Sequence, residues 1–81
     1  MKKDVIYLRR LRWDEAELKL MKELDILYLK GIKKIKIVHG KGGGKLKEMV
    51  AAYLSRQPFV EGFEQAPYYE GGSGVTIVTF R

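Results

Sequence analysis

The sequence predicts a small α/β domain, a two-layer sandwich in which two helices cover a four-stranded mixed sheet in the order β-α-β-α-β-β. Two segments have helical periodicity, four shorter segments have strand-like patterns, and the two kinds alternate over much of the chain. At 81 residues the chain is well below the size at which proteins divide into several domains. We therefore assign residues 1–81 to one domain, and we find no linker or internal repeat.

The first half of the chain contains a strand, a helix and a second strand. Residues 5–8 form a run of β-branched and aromatic side chains, which is typical of a buried strand. Residues 14–30 repeat alanine or leucine at helical spacing, and Asp14 with Glu17 predicts a capping box at the start of this helix. Residues 34–38 alternate polar and apolar side chains. A strand–helix–strand unit of this length predicts a parallel pair.

The second half adds a helix and two strands. Apolar side chains recur at intervals of three and four residues over 46–54, which predicts an amphipathic helix that ends before Pro58. Residues 59–64 form a weaker strand pattern because Gly62 lies within it. A glycine-rich loop then leads to residues 75–80, the strongest strand pattern in the chain. Since only a loop joins the last two strands, at least one antiparallel pair is expected there.

The composition excludes several classes of site. The chain has no cysteine, which excludes disulfides, thiolate zinc sites, iron–sulfur clusters and cysteine nucleophiles. With His39 as its single histidine, a two-histidine metal site is excluded as well. The acidic residues are scattered, so we predict no metal site and no cofactor. No apolar run approaches the roughly 18 residues of a membrane span and the start lacks a signal peptide pattern, so we expect a cytoplasmic protein without a membrane partner.

Positive charge is concentrated in the first two thirds of the chain. The formal net charge is +6, and residues 57–81 contribute one base and three acids to it. Residues 1–56 therefore carry +8 and the remainder −2. An uneven basic field of this kind attracts polyanions and accelerates their association. Nucleic acid or another polyanion is the predicted partner, and ordinary solubility charge on helix faces is the alternative.

A glycine-rich loop between the second strand and the second helix is the main candidate site. Four of the residues in 39–44 are glycines, and Lys41 and Lys45 add positive charge. Amide groups at a helix start attract anions, and glycines let a phosphate approach the backbone closely. The spacing matches neither a Walker loop nor a dinucleotide-binding fingerprint. A phosphate-contacting loop is the functional interpretation, and a tight strand-to-helix turn is the alternative.

Two glycine motifs carry a resemblance to a known family. Val38-His39-Gly40-Lys41-Gly42 follows a strand, and the run that begins at Gly71 leads into the last strand as Gly-Gly-Ser-Gly-Val-Thr-Ile-Val. Together they resemble the Smr domain, the small MutS-related domain at the C-terminus of MutS2 proteins, over residues 6–80. The resemblance implies nucleic-acid binding and nicking endonuclease activity, linked to DNA recombination and repair or to ribosome-associated quality control. It also implies a larger parent protein with an ATPase domain in cis, and the ribosome as a candidate partner.

The first motif of the family is altered in this chain. Where the MutS2 branch has Leu-Asp-Leu-Arg-Gly, this sequence has Ile6-Tyr7-Leu8-Arg9-Arg10. Arg9 falls on the arginine of the family motif, whereas Tyr7 replaces its acid and Arg10 replaces its glycine. This departure bears on catalysis more than on binding, because the bases are kept and one is added.

The resemblance and the chemistry together indicate the candidate site residues. One imidazole can transfer a proton near neutral pH while cations stabilise a pentavalent phosphate, a set that suits RNA with its internal 2′-hydroxyl nucleophile. The predicted catalytic residues are His39, Arg9 and Lys41. The predicted nucleic-acid-binding residues are Arg9, Arg10, Arg12, Gly40, Lys41, Gly42, Gly44, Lys45, Gly72 and Gly74. Two alternatives stay open, a binding module without catalysis and a protein-interaction domain whose basic face meets an acidic partner such as a ribosome surface.

Overall fold

A computed structural model describes residues 4–81 of the chain. Its elements are β1 (Val5–Tyr7), α1 (Trp13–Leu29), β2 (Lys34–Val38), α2 (Lys45–Ser55), β3 (Val60–Gln65) and β4 (Val75–Phe80). The strands of this described part form one mixed sheet in the order β1-β2-β4-β3. β1 is parallel to β2, whereas β4 is antiparallel to both β2 and β3. The fold class predicted from the sequence is confirmed.

Both helices cover the same face of the sheet. Successive strand residues point to opposite faces, so the buried alternate residues Ile35 and Ile37 of β2 mark the face that the helices cover. The main core joins this face to α1 and α2 through Ile6, Leu8, Ala16, Leu20, Leu24, Leu27, Ile35, Ile37, Met49, Val50, Leu54, Val60, Val78 and Phe80. On the other face lies a smaller cluster of Ala66, Val75 and Ile77, with Val38 packed against it. The arrangement has two layers because one face of the sheet carries both helices.

The segment between β3 and β4 has more regular structure than its composition predicts. It contains two single turns of 3₁₀ helix, at Tyr68–Glu70 and Gly72–Gly74. The amide of Glu70 donates to the carbonyl oxygen of Pro67 at 2.9 Å. The Glu70 carboxylate in turn forms an ion pair with Lys36 of β2 at 3.2 Å. These contacts hold the first turn against the open face of the sheet.

The start of α1 differs from the predicted capping arrangement. The helix begins at Trp13, and Arg12 is its N-cap. The amide of Arg12 donates to Oε1 of Glu15 at 3.0 Å, and the amide of Glu15 donates to Oδ1 of Asp14 at 3.0 Å. The predicted box of Asp14 and Glu17 was therefore wrong by two positions. The preference for aspartate at an N-cap is a local signal, and here the turn that follows β1 starts the helix earlier.

The observed capping bond yields a stability test. Glu15→Ala is expected to lower the free energy of unfolding by about 1 kcal/mol, because it frees the Arg12 amide and removes a negative charge from the helix N-terminus. Glu17→Ala, in the same helix, is the control and should cost less. Urea denaturation followed by circular dichroism measures both. Equal losses for the two variants would contradict this assignment of the cap.

Candidate nucleic-acid interface

A cleft of about 1010 Å³ opens at the edge of the sheet where β1 and β2 end. The carboxyl ends of parallel strands are the usual position of a ligand crevice in open α/β sheets. Three segments contribute to the cleft: the turn after β1, the loop from β2 into α2, and the 3₁₀ turns before β4. Its lining residues are Arg9, Arg10, Val38, His39, Gly40, Lys41, Gly42, Gly43, Lys45, Leu46, Tyr68, Gly71, Gly74 and Val75.

Most of the site residues predicted from the sequence meet in this cleft. Those that line it are Arg9, Arg10, His39, Gly40, Lys41, Gly42, Lys45 and Gly74. Three others do not line it: Arg12 is the N-cap of α1, Gly44 is the N-cap of α2, and Gly72 is buried in the second 3₁₀ turn. The structure therefore brings the basic side chains at the end of β1 together with those of the glycine loop, whereas Arg12 lies outside the cleft.

The charge of the cleft is entirely positive. Its charged lining residues are Arg9, Arg10, Lys41 and Lys45, all of them exposed, and none of the lining residues is acidic. Within residues 4–81 none of these four side chains forms an ion pair. A concave surface lined by one sign of charge concentrates counter-ions and raises association rates. The cleft therefore favours a polyanionic ligand.

Gly40 allows Arg9 to lie against the glycine loop. Its φ is 86°, in the left-handed region, and a Cβ at this position would lie 3.3 Å from Cγ of Arg9. The amides of Leu8 and Arg9 both donate to the carbonyl oxygen of Val38, at 2.8 and 3.1 Å. These bonds join the end of β1 to the end of β2, so the Arg9 stem packs beside the loop that carries Lys41.

Gly74 provides the second close approach. Its carbonyl oxygen accepts hydrogen bonds from the amides of His39 and Gly40, both at 3.0 Å. A Cβ at Gly74 would lie 3.1 Å from Cγ of Lys41 and 3.4 Å from the carbonyl carbon of Gly40. The second glycine run is therefore a packing requirement of the cleft wall rather than only a flexible turn.

The glycines at the start of α2 have different roles. Gly43 and Gly44 have φ values of 41° and 82°, whereas Gly42 lies outside the left-handed region and a Cβ there would meet nothing within 4 Å. No side chain of residues 4–81 caps the helix at Gly44, so amides of its first turn are free to meet an anion. The fold thus accounts for Gly43 and Gly44, while the absence of a side chain at Gly42 only keeps the mouth of the cleft open.

His39 is buried, and both of its ring nitrogens are engaged. The residue is 4% exposed. Nδ1 lies 3.1 Å from the carbonyl oxygen of Gly40, and Nε2 lies 2.8 Å from Oγ1 of Thr76. A carbonyl oxygen only accepts, so Nδ1 carries the proton and Nε2 accepts from the Thr76 hydroxyl. Burial lowers the pKa of His39 below 6.5; the bond to Gly40 opposes this shift, and the charge of Lys47 adds to it.

Two residues in the altered first motif take different positions. Tyr7, which stands at the family's acid, is 54% exposed and does not line the cleft. Arg10, at the family's glycine, lines it and has a φ of 72°, the only positive φ of a non-glycine residue within 4–81. A left-handed arginine costs roughly 1 kcal/mol, which explains why a glycine suits this position. The positive charge that Arg10 adds therefore lies at the cleft, whereas the position at which Tyr7 replaces the acid lies outside it.

Some cleft features were not among the predicted site residues. Tyr68 lines the cleft, and Thr76 holds the imidazole from β4. Only the register of β2 against β4, which pairs Ile37 with Thr76, brings that hydroxyl near His39.

No group of three or more metal-ligating side chains occurs within residues 4–81. In the same part of the chain, no helix has both the length and the apolarity needed to cross a bilayer.

Comparison with known proteins identifies close relatives. The Smr domain family model matches residues 6–81. The Endonuclease MutS2 of Carboxydothermus hydrogenoformans is 46% identical over 67 residues, which are 83% of this chain and 9% of that protein. The Endonuclease MutS2 of Streptococcus suis is 42% identical over 74 residues, which are 91% of this chain and 10% of that protein. The chain spans about a tenth of the length of the curated relatives it matches.

Solved structures agree with this assignment. The Smr domain of Thermus thermophilus MutS2 superposes with a TM-score of 0.92 at 37% identity, covering 96% of this chain and 98% of that chain. YdaL, a stand-alone small MutS-related protein from Escherichia coli, superposes with a TM-score of 0.93 at 24% identity, covering 100% of this chain and 66% of that chain. At 24% identity, the similarity to YdaL shows a shared fold and nothing further.

The buried imidazole predicts a pH dependence of stability. The folded-state pKa of His39 is lowered below the 6.5 of the unfolded chain, so the unfolded state takes up the proton first as the pH falls. This contribution to stability is fully present above pH 6.5 and is lost as the pH falls through the folded-state pKa. Urea denaturation between about pH 8 and pH 5 measures the slope. His39→Gln should flatten it, and an unchanged slope would contradict the interpretation.

Proposed function

The chain belongs to the Smr domain family, and from that premise we propose that its basic cleft binds the phosphodiester backbone of nucleic acid. The observation that carries the proposal is the convergence of four cations which, within residues 4–81, have no ion-pair partner and no acid in the cleft beside them, next to a start of α2 that no side chain of this range caps. A helix N-terminus and arginine guanidinium groups are both suited to phosphate oxygens. The family membership makes nucleic acid the expected polyanion.

The cations reach the cleft from two directions. Arg9 and Arg10 follow β1, whereas Lys41 and Lys45 belong to the loop and first turn that follow β2. A nucleic-acid strand lying across the cleft would therefore meet both pairs, with the guanidinium groups binding phosphates bidentately and the lysines acting as point charges. Backbone contacts of this kind give affinity without sequence preference.

Phosphodiester cleavage is a second candidate function, favoured by the name Endonuclease MutS2 of the relatives. In it, a 2′-hydroxyl of RNA or a water molecule would attack the phosphorus, and the bond from phosphorus to the leaving ester oxygen would break. Arg9 and Lys41 would stabilise the charge on the pentavalent phosphate, while His39 would take the proton of the attacking group and pass it to the leaving oxygen. The neutral imidazole is the form that accepts a proton, but Nε2 must first leave the Thr76 hydroxyl. Because this rearrangement is required for cleavage and not for binding, binding is the function that the geometry supports best.

We place the domain in a larger protein as part of the same proposal. The chain spans about a tenth of the relatives named Endonuclease MutS2, which supports a MutS2-type parent with an ATPase domain in cis. A cytoplasmic setting suits a nucleic-acid ligand. Ribosomal RNA offers the same phosphodiester chemistry to the cleft, so the ribosome is a further proposed partner.

Binding through the cleft predicts a defined salt dependence. Affinity for an oligonucleotide should fall with salt along a log–log slope of about −3 to −4 for about four phosphate contacts. Lys41→Gln should weaken binding and make the slope shallower by about one. Lys30→Gln is the matched control, because Lys30 is the C-cap of α1 and does not line the cleft. Fluorescence anisotropy titrations measure both; a salt-independent affinity or equal losses for the two variants would refute the proposal.

Cleavage is tested separately with labelled RNA and DNA in the presence and absence of EDTA. If the domain cleaves, His39→Ala should slow the reaction by about 100-fold or more, the usual scale for loss of a general acid–base group. Binding should weaken far less than cleavage, since a neutral imidazole adds no charge to the cleft, although its removal unpairs the Gly40 carbonyl oxygen and the Thr76 hydroxyl. EDTA should leave the rate unchanged, because the acids within residues 4–81 form no metal-ligand cluster. An activity that EDTA abolishes and that His39→Ala leaves intact would overturn this mechanism.

A further inference from the structure

We propose that Tyr68 stacks on an unpaired base, so that the cleft prefers single-stranded or locally unpaired nucleic acid to an uninterrupted duplex. The inference rests on the proposed function, since it concerns a ligand whose phosphates the cations hold. It adds a second kind of contact at the same cleft, with the base rather than the backbone. The chemical group recognised is the flat face of a nucleobase, which DNA and RNA share.

Tyr68 presents an exposed ring to the cleft. Its side chain is 90% exposed although it lines the cleft. The aromatic pairs within residues 4–81 involve Tyr28, Phe59 and Phe80, and Tyr68 is not among them. Its ring therefore has no aromatic partner in this part of the chain. A tyrosine offers a large flat surface with few rotatable bonds, so a base can cover it at a low cost in conformational entropy.

The backbone that carries Tyr68 is well anchored. The amide of Gly71 donates to the carbonyl oxygen of Tyr68 at 3.3 Å, and the amide of Gly72 donates to that of Pro67 at 3.0 Å. The ion pair between Lys36 and Glu70 ties the same 3₁₀ turn to β2. The turn therefore fixes the backbone from which the ring projects before a ligand binds, which reduces the ordering cost of association.

The rest of the cleft supplies an apolar surface beside the cations. Val38 and Leu46 line it and are partly exposed, whereas Val75, which is 7% exposed, contributes little surface. These side chains gain nothing from phosphate groups, but they suit the face or edge of a base. A positively charged groove combined with an aromatic platform is the arrangement by which proteins bind single strands without sequence preference.

Preference for unpaired strands follows from the accessibility of the bases. In a duplex each base is stacked on its neighbours, so its face meets Tyr68 only after unstacking, which opposes binding. In a single strand the same face is available without that cost. The cations bind both forms through phosphates, and Tyr68 adds affinity for the single strand alone. The four cations therefore set the overall affinity, and Tyr68 sets the difference between the two forms.

The test compares two neighbouring tyrosines. Tyr68→Ala should weaken binding of single-stranded DNA and RNA oligonucleotides by about 5- to 100-fold, and should change duplex binding by less than about twofold. Tyr69→Ala is the matched control, because Tyr69 is 82% exposed on the same turn but does not line the cleft. Tyr68→Phe should keep the preference for single strands, since its ring stacks without the hydroxyl. Fluorescence anisotropy measures all four proteins against each ligand.

A spectroscopic readout reports the stacking itself. The fluorescence of 2-aminopurine in a single-stranded oligonucleotide should be quenched when the wild type or Tyr68→Phe binds, and much less when Tyr68→Ala binds. Circular dichroism and thermal unfolding check that the variants are folded, which the exposure of the side chain leads us to expect. Equal losses for single strand and duplex, or equal losses for Tyr68→Ala and Tyr69→Ala, would overturn the inference.

Failure of the inference is distinguishable from failure of the proposed function. If the wild type binds both forms with the expected salt dependence and Tyr68→Ala behaves like the wild type, only the stacking role is wrong. If the wild type binds neither form at low salt, the proposed function is wrong and the inference with it. Lys41→Gln, which should weaken both forms similarly, separates the contribution of charge from that of stacking.

Discussion

The carbonyl oxygen of Gly74 is the point on which the geometry of the cleft depends. It accepts two hydrogen bonds, from the amides of His39 and Gly40, and so joins the end of β2 to the turn before β4. This join leaves no room for side chains: a Cβ on Gly40 would press on Arg9, and a Cβ on Gly74 would press on Lys41. Two glycine motifs that lie far apart in the sequence are therefore one structural unit. The cations stand together because the backbones beneath them are in contact.

Beneath this join, His39 connects the cleft to the core. Alternation along β2 turns its side chain to the helix-covered face, where Ile35 and Ile37 are also buried. There the imidazole satisfies the Gly40 carbonyl oxygen on one side and the Thr76 hydroxyl on the other. A neutral ring in this position keeps two polar groups hydrogen-bonded in a low-dielectric environment. A charged ring would lose its hydration on burial, and within residues 4–81 the site has no negative charge to compensate for that loss. The residue that the sequence marks for chemistry is therefore also a support of the loop.

The sequence predicted the parts of the fold that periodicity controls. The bounds of β2 and β4 and the buried face of α1 follow from alternation and from helical spacing. The cap of α1 was misplaced because it depends on the turn after β1. The burial of His39 depends on the register between β2 and β4, a long-range property that local patterns do not carry. The distinct roles of Gly42 and Gly44 depend on backbone φ angles, which a glycine in the sequence permits but does not specify.

The two departures from the family's first motif act in the same direction. Replacement of an acid by Tyr7 removes a negative charge near the end of β1, and replacement of a glycine by Arg10 adds a positive one. The second change carries a backbone penalty, because Arg10 keeps the left-handed conformation that glycine adopts freely. The turn can hold that strain, since the Val38 carbonyl oxygen fixes the preceding amides of Leu8 and Arg9. The cation that Arg10 adds at the cleft strengthens the attraction for phosphates, and the loss of an acid at Tyr7 acts in the same sense from outside the cleft. Neither change adds a group that transfers protons. The altered motif therefore favours binding over cleavage on electrostatic grounds, independently of the engaged nitrogens of His39.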